Sequence, residues 1–300
     1  MPASPSRYVL FHKRLVLFTQ TLHGLEEGRV SALHRARVAS RRLREVLPVL
    51  QLDRDLVNRL GKRLRRVTGR LGTVRDLDVL LLLVDELQES GRYDEAALAR
   101  VAGAIAQDRN DARVQLFSKL PMPELRRLSK KLHKVADGLV DREKGPAAAR
   151  GWQWALDARV GRRAGVLKSA IEDAGNVYLP DRVHVVRIAL KKFRYAVELE
   201  TETSADKSWA HHLASLKRMQ GVLGRIHDRQ MLVERVRRVQ ASLSPPNLGL
   251  WRALDSLLTA IETDCRRLHA KYVRDAAPLA EICERLAGRA SPAPSHRRAG

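Results

Sequence analysis

The chain of 300 residues carries 56 Lys and Arg against 34 Asp and Glu, a formal net charge of +22, and 44% of its residues are hydrophobic. This hydrophobic content supports a sizeable core and excludes a disordered basic tail. The excess charge calls for a polyanionic partner, and because only 4% of the residues are aromatic, the chain is poorly supplied with the stacking surfaces that readers of single-stranded nucleic acids use.

The low cysteine content and the short hydrophobic runs predict a protein of a reducing compartment that does not span a membrane. Cys265 and Cys283 are too few for a disulfide scaffold and lack metal-ligand spacing. The longest uncharged apolar run, 79–84, is far shorter than the roughly 20 residues that span a bilayer. The apolar stretch 8–18 is interrupted by charges and no small-residue cleavage site follows, so we predict no signal peptide. We therefore expect a cytoplasmic protein without membrane contact.

Nearly every long segment has the pattern of an amphipathic helix. Apolar residues recur three and four apart, and strand-like alternation is hard to find, so we predict an all-α chain. Helix ends are predicted where Gly, Pro and Ser interrupt the pattern. In chain order these breaks are 90–91, 121–123, 145–146, 175–180, 201–208 and 244–246. The segment 289–300 is rich in Pro, Ala and Arg and is predicted to be a disordered tail.

The first motif lies in residues 33–44. At about 100° per residue, a helix there carries a basic stripe beside an apolar stripe. The basic stripe consists of His34, Arg37, Arg41 and Arg44. The apolar stripe, predicted to pack inward, consists of Leu33, Ala36, Ala39, Leu43, Val46, Leu47 and Leu50.

The second motif lies in residues 64–76 and adds further cations. Those in and just before it are Lys62, Arg65, Arg66 and Arg70. Gly69 and Gly72 form a Gly-x-x-Gly pattern, and glycine costs roughly 1 kcal/mol in a helix interior. We therefore expect another helix, or a ligand, to approach the backbone there, and close helix packing is the favoured explanation. Asp76, Asp78 and, later in the chain, Asp228 could ligate a metal, but buried or capping ion pairs with neighbouring arginines are the favoured interpretation.

Both motifs recur about 150 residues later in the same order. Residues 183–194 repeat 33–44, and residues 216–228 repeat 64–76. The repeat predicts a tandem duplication with halves of about 1–144 and 145–288. The second copies supply His184, Arg187, Lys191, Arg194, Lys217, Arg218 and Arg225, together with Gly221, Gly224 and Asp228. Their apolar stripe is Val183, Val186, Ala189, Phe193, Ala196 and Val197.

The motifs are poor in compensating acids. Between residues 33 and 75 there are 13 Lys and Arg but only three acids, Glu45, Asp53 and Asp55. A solvated helix face is usually laced with acids four residues from its bases, and like charges at helical spacing repel each other. Cations at matching positions in both halves therefore favour an anion-binding site over a solvated face.

The combination of these motifs resembles the CHAD family, the conserved histidine α-helical domain. The pattern His-x-x-Arg-Val/Ile-x-x-Arg/Lys-Arg/Lys-Leu/Phe-Arg carries the resemblance, together with Leu-Gly-x-x-Arg-Asp in one half and Leu-Gly-x-x-His-Asp in the other. The resemblance covers about residues 7–287 and implies one CHAD domain over 1–288. It further implies two pseudo-symmetric four-helix bundles, packed as one body around a basic central channel that binds inorganic polyphosphate, and association with polyphosphate granules.

The resemblance also assigns residues. The family's histidines fall on His34 and His184, and its basic positions fall on Arg37, Arg41, Arg42, Arg44, Arg65, Arg66, Arg187, Lys191, Lys192, Arg194 and Lys217. With Lys62, Arg70, Arg218 and Arg225 from the second motif, these are the predicted polyphosphate-binding residues. Lys191 and Lys192 stand where arginines are more usual, which keeps the charge but loses the bidentate fork that suits phosphate oxygens.

Other functions remain open at this point. Nucleic-acid binding at low salt is the main alternative, although no helix-turn-helix, zinc-finger or RNP signature is present. A metal-dependent phosphatase or phosphotransferase that uses His34 or His184 is less favoured, because no matched carboxylate cluster accompanies the cations. Some relatives carry a catalytic domain marked by Glu-x-Glu-x-Lys, but residues 198–202 alternate acids without the lysine. We expect a stand-alone binding protein without enzymatic activity, metal or cofactor.

Overall fold

The computed structural model describes residues 6–142 and 146–288, with side chains placed in 6–140 and 151–288. Over these residues the chain forms nine α-helices and no strand, which confirms the all-α prediction. The helices are α1 (Arg7–Glu26), α2 (Val30–Val46), α3 (Arg54–Glu89), α4 (Glu95–Lys119), α5 (Met122–Arg142), α6 (Pro146–Ala174), α7 (Pro180–Thr203), α8 (Ser208–Ala241) and α9 (Leu248–Ala287). A 3₁₀ turn, Leu47–Val49, follows α2.

The helix ends agree with the breaks expected from Gly, Pro and Ser. Each predicted break falls at the junction of two helices, although residues 122–123, 146, 180, 201–203 and 208 belong to the adjoining helices and residue 145 lies outside the described residues. Asp53 caps α3 by accepting from the backbone N–H of Leu56, and Asp94 caps α4 by accepting from that of Ala97. Such caps each stabilise a helix by about 1 kcal/mol. No described helix is both long and apolar enough to cross a membrane.

The helices pair in the same order in both halves. In the first half, α2 packs on α1 and α3, and α1 also packs on α5. In the second half, α7 packs on α6 and α8, and α6 also packs on α9. The larger hydrophobic core runs through both sets and includes Phe11, Leu43, Phe193 and Trp209, each at most 2% exposed.

A second hydrophobic core, which we call the shared core, belongs to both halves equally. It lies between the C-terminal part of α3, the first part of α4, the C-terminal part of α8 and the N-terminal part of α9. Val84, Ile105, Val236 and Leu254 are fully buried there. The shared core fixes the far ends of the long helices α3 and α8 relative to each other, and these helices carry the second motif of each half.

The predicted apolar stripes of α2 and α7 are confirmed. Every residue named in either stripe is buried, so the basic stripe beside each one borders the core. The predicted tail 289–300 lies outside the described residues. The tandem duplication and the central channel stay predictions.

Candidate functional site

Helices α2 and α7 lie against each other and bring the two copies of the first motif together. The Arg41 guanidinium of α2 lies 3.5 Å from the Tyr195 hydroxyl of α7. The next residue of α2, Arg42, donates to Glu198, which lies about one turn beyond Tyr195 on α7. The two basic stripes therefore meet between the halves instead of covering separate surfaces.

We call the cations and their neighbours at this meeting point the central cluster. Its members are Arg37 and Arg41 of α2, Asp76 of α3, His184, Arg187 and Lys191 of α7, and His227 and Asp228 of α8.

Lys191 shows how strongly positive the central cluster is. The pKa of Lys191 is lowered to about 7, first by burial and then by repulsion from Arg187, Arg41 and Arg37 in that order. Among the described residues, Lys191, Arg41 and Arg187 form no ion pair with a carboxylate, whereas Arg37 pairs with the exposed Asp76 at 3.2 Å. An anion that entered the cluster would supply the missing negative charge.

Each motif histidine lies beside a residue of the second motif. The rings of His184 and His227 are 5.2 Å apart, and the pKa of His227 is lowered to about 3, first by burial and then by Arg187, His184 and Lys191. In the first half, burial, Arg75 and Arg37 lower the pKa of His34. Burial, Arg187 and Lys191 also lower the pKa of His184. Both motif histidines are therefore mainly neutral at pH 7, where one ring nitrogen can donate a hydrogen bond to a phosphate oxygen.

Arg42 and Arg194 hold an internal carboxylate. Glu198 lies 2.5 Å from Arg42 and 3.3 Å from Arg194. Arg194 also donates to Gln220 of α8 at 2.6 Å, and its guanidinium lies over the Tyr195 ring, 4.3 Å from the centroid. Because these contacts join α2, α7 and α8, the two arginines connect the halves, and they are less available to a ligand than their neighbours in the stripe.

A second set of predicted residues lines a separate cavity of about 570 Å³ beside the end of α2, which we call the Arg44 groove. Its cations are Arg44, Lys62, Arg65, Lys192, Arg159 and Arg163. The buried Glu45 pairs with Arg159 at 2.6 Å and lies 3.6 Å from Arg44. Burial lowers the pKa of Arg44 and of Arg163, because the charged form loses water there.

The remaining predicted cations lie outside these two places. Lys217, Arg218 and Arg225 line a cavity of about 650 Å³ between α8 and α9. Arg66 is exposed and lies 3.7 Å from Glu124 of α5, and Arg70 is half-buried on α3. The seventeen predicted residues thus fall into several clusters, with the central cluster between the halves.

The expectation that glycines mark close helix packing is wrong at three of the four positions. A Cβ atom added at Gly69, Gly221 or Gly224 would meet nothing within 4 Å, because these residues face open space. Only at Gly72 would it make a contact, 3.4 Å from the Arg37 side chain. The open alternative, that a ligand approaches the backbone, is the one compatible with this geometry.

Asp76 and Asp78 make the expected ion pairs, whereas Asp228 forms none among the described residues, and burial raises its pKa. Asp78 accepts from Arg109 at 2.6 Å, and Asp76 pairs with Arg37. Within the described residues, no group of three or more His, Cys, Asp or Glu is arranged to hold a metal ion.

Sequence reasoning left out four residues that lie beside the motif histidines or line the Arg44 groove. Arg75 and His227 stand at matching positions of the second motif, immediately before its aspartate, and the repeat itself could have identified them. Arg159 and Arg163 of α6 lie outside both motifs, and only the packing of α6 against the end of α2 reveals them.

Comparisons with known proteins agree with this architecture. Residues 12–237 match the family model described as the CHAD domain. The fold is similar to the crystal structure of the CHAD domain from the plant Ricinus communis, with a TM-score of 0.67, 22% identity and 93% of each chain covered. It is also similar to PptA from Streptomyces chartreusis, with a TM-score of 0.56, 19% identity, and 95% of this chain and 97% of that chain covered. No curated protein is significantly similar in sequence.

Proposed function

The chain belongs to the CHAD domain family, and from this premise we propose that it binds inorganic polyphosphate at the central cluster. The observation that carries the proposal is the set of cations that α2 and α7 hold together and that form no ion pair within the described part of the chain, Arg41, Arg187 and Lys191. Like charges at this density destabilise the free protein. A flexible chain of phosphates relieves that repulsion.

The chemistry of the cluster suits a ligand with dense charge and no bases. Arginine guanidinium groups match phosphate oxygens with two parallel N–H donors, and Lys191 adds a compact charge. His184 and His227, neutral at pH 7, add donors without adding to the repulsion. Tyr195 is the aromatic side chain beside the cluster, and its ring is already covered by Arg194. We therefore favour polyphosphate over nucleic acid.

The proposed role is binding without turnover. Incubation of the protein with polyphosphate and a divalent metal, followed by measurement of released phosphate, tests this point. We expect no release above the level without protein. Release that is lost on replacing His34 or His184 would overturn it and indicate a phosphatase or phosphotransferase.

A competition experiment tests the choice of ligand. Long-chain polyphosphate and duplex DNA compete for the protein at moderate salt, and polyphosphate should displace DNA. The affinity for polyphosphate should fall linearly on a log–log plot against salt concentration, because bound counterions are released. Displacement of polyphosphate by DNA at equal phosphate concentration would overturn the assignment.

Location in the cell follows from the same proposal. A fluorescent fusion should collect at polyphosphate granules in phosphate-replete cells and spread evenly in cells that make no polyphosphate. An unchanged distribution in the two kinds of cell would contradict granule association.

A further inference from the structure

The cavity between α8 and α9, which we call the α8–α9 groove, is a basic concave surface distinct from the central cluster and the Arg44 groove. Its volume is about 650 Å³. It is lined by the cations Lys217, Arg218, Arg225, Lys271 and Arg274 and by one acid, Asp275. Lys271 and Arg274 belong to neither sequence motif, so two helices supply cations to one cavity.

This groove is separate from the central cluster. Residues two apart on a helix point about 200° from each other. Arg218 therefore faces away from Gln220, which accepts from Arg194 of α7, and Arg225 faces away from His227, which contacts His184. None of the groove cations is among the groups that shift the pKa of Lys191 or His227. Arg218 and Arg225 thus point away from Gln220 and His227, whereas Lys217 and Asp228, three residues from Gln220 and Arg225, stand at the border between the two faces of α8. No residue of the central cluster lines the groove.

The cations of the groove lack internal partners. Among the described residues, none of the five forms an ion pair, and Arg218 donates only to the Ser215 hydroxyl, at 3.0 Å. The matching position of Arg218 in the first half is Arg66, which lies 3.7 Å from Glu124. The first half therefore balances this charge internally, and the second half leaves about four positive charges open to a ligand.

The lining of the groove suits a ligand that carries phosphate charges and has no bases. Met219, Val222 and Leu279 close the floor and are buried in the protein core. Gly221 also lines the groove, and the open space beside it lets an anion approach the helix backbone. No aromatic side chain among the described residues lines the groove to stack on a base.

We propose that the α8–α9 groove is a second anion site, independent of the central cluster, that binds a short run of phosphoanhydride-linked phosphates. Free tripolyphosphate carries about four negative charges at neutral pH and three phosphates inside a long chain carry about three, close to the excess positive charge of the groove. The run can come from a free oligophosphate or from a segment of a long chain. The ligand class rests on the proposed function, whereas the separateness of the site rests on the geometry of α8.

Calorimetric titration with tripolyphosphate tests the site. The double variant Lys271→Ala/Arg274→Ala should bind one equivalent fewer than the wild-type chain, with at least tenfold weaker binding in the groove, and keep the remaining binding unchanged. The matched control Arg100→Ala/Arg252→Ala removes the same charge from exposed positions that line neither site, and it should bind as many equivalents as the wild-type chain. Circular dichroism establishes that each variant is folded.

A central-cluster variant, Arg41→Ala/Lys191→Ala, separates the two proposals. It should lose the equivalent bound at the central cluster and keep the one in the α8–α9 groove. If it binds like wild type while the Lys271/Arg274 variant loses an equivalent, the central proposal fails and the groove stands. If the Lys271/Arg274 variant binds like wild type, or like the Arg100/Arg252 control, the groove proposal is overturned.

Long-chain polyphosphate distinguishes the two sources of ligand. If a segment of polymer occupies the groove, the Lys271/Arg274 variant should bind the long chain at least fivefold more weakly than the control does. If only its tripolyphosphate binding is lost, the ligand is a free short oligophosphate.

Discussion

Matching helices of the two halves meet at the central cluster, but their side chains differ in whether they keep their charge when buried. The first half places Arg41 and Arg75 where the second half places Lys191 and His227. Arginine stays charged at any physiological pH, whereas lysine and histidine lose their charge when buried. The pKa of Lys191 falls to about 7 and that of His227 to about 3. The first half therefore supplies fixed charge, and the second half supplies charge that depends on pH and on the ligand.

The outer surfaces of the two halves also differ, and here the second half carries the charge that no acid balances. Arg66 of the first half is balanced by Glu124, whereas Arg218 of the second half opens into the α8–α9 groove with no acid partner among the described residues. Matching sequence motifs thus do not give equivalent surfaces, because the acids that balance them come from other helices.

The largest expected effect concerns the carboxylate that joins the halves. Glu198→Ala should lower the free energy of unfolding by about 3 kcal/mol, because it leaves the nearly buried Arg194 and its neighbour Arg42 without their charge partner. Urea denaturation measures the change. Glu124→Gln, which removes an exposed ion pair of the first half, is the control and should cost under about 1 kcal/mol. Equal losses in the two variants would mean that Glu198 does not hold the halves together.

Charge reversal in each half tests whether the central cluster is two-sided. Arg41→Glu and Lys191→Glu should each weaken polyphosphate binding at least tenfold at pH 6.5, because each places a carboxylate against the remaining cations. Fluorescence titration measures the affinity, and the exposed Arg100→Glu serves as control. A loss from only one of the two variants would show that a single half binds the ligand.

The dependence on pH should come from the second half. Above about pH 7 the free protein holds Lys191 neutral, and a bound anion favours the ammonium form, so binding takes up a proton. Affinity should therefore rise about fivefold as the pH falls from 8 to 6. Lys191→Arg keeps the charge at every pH and should flatten this dependence while it preserves binding at pH 8.

Calorimetry in buffers of different ionisation enthalpy measures directly whether a proton is taken up on binding. The observed enthalpy of binding at pH 7.5 should change with the buffer for the wild-type chain. An equal change for the Lys191→Arg variant would assign the proton to another group, such as His184 or His34, whose pKa values are also lowered.

The smallest expected effect concerns the outer surface of the first half. Glu124→Gln frees Arg66 from its exposed ion pair and makes this surface resemble its counterpart on α8. Affinity for polyphosphate should rise by less than twofold, and only at low salt, because exposed ion pairs are weak and screened. An increase of tenfold would mean that the first half has a latent site as strong as the α8–α9 groove.

Local periodicity made the helices and their faces predictable. The apolar stripes of α2 and α7 follow from spacing within one helix, and the same spacing places Arg37, Arg41 and Lys191 at the edge of the core. The ion pairs of Asp76 and Asp78 were also expected, because arginines are abundant around them.

What the sequence could not provide was the balance of charge between helices. Glu198 lies 156 positions from Arg42 in the chain, and Glu45 receives Arg159 from α6. These pairs depend on which helices become neighbours, and helical spacing carries no information about that. Lys271 and Arg274 were missed for the same reason. Helix α9 carries no repeated motif, and its cations line a basic cavity only together with those of α8.

The shared core has a consequence for any attempt to divide this protein. A chain that stops after the first half would keep α3 and α4 but lose the parts of α8 and α9 that cover them. Leu80, Val84, Leu98 and Ile105, all at most 2% exposed in the intact protein, would then face water. Two copies of such a fragment could cover each other's apolar surface, so the fragment is expected to dimerise or aggregate rather than to remain a monomer.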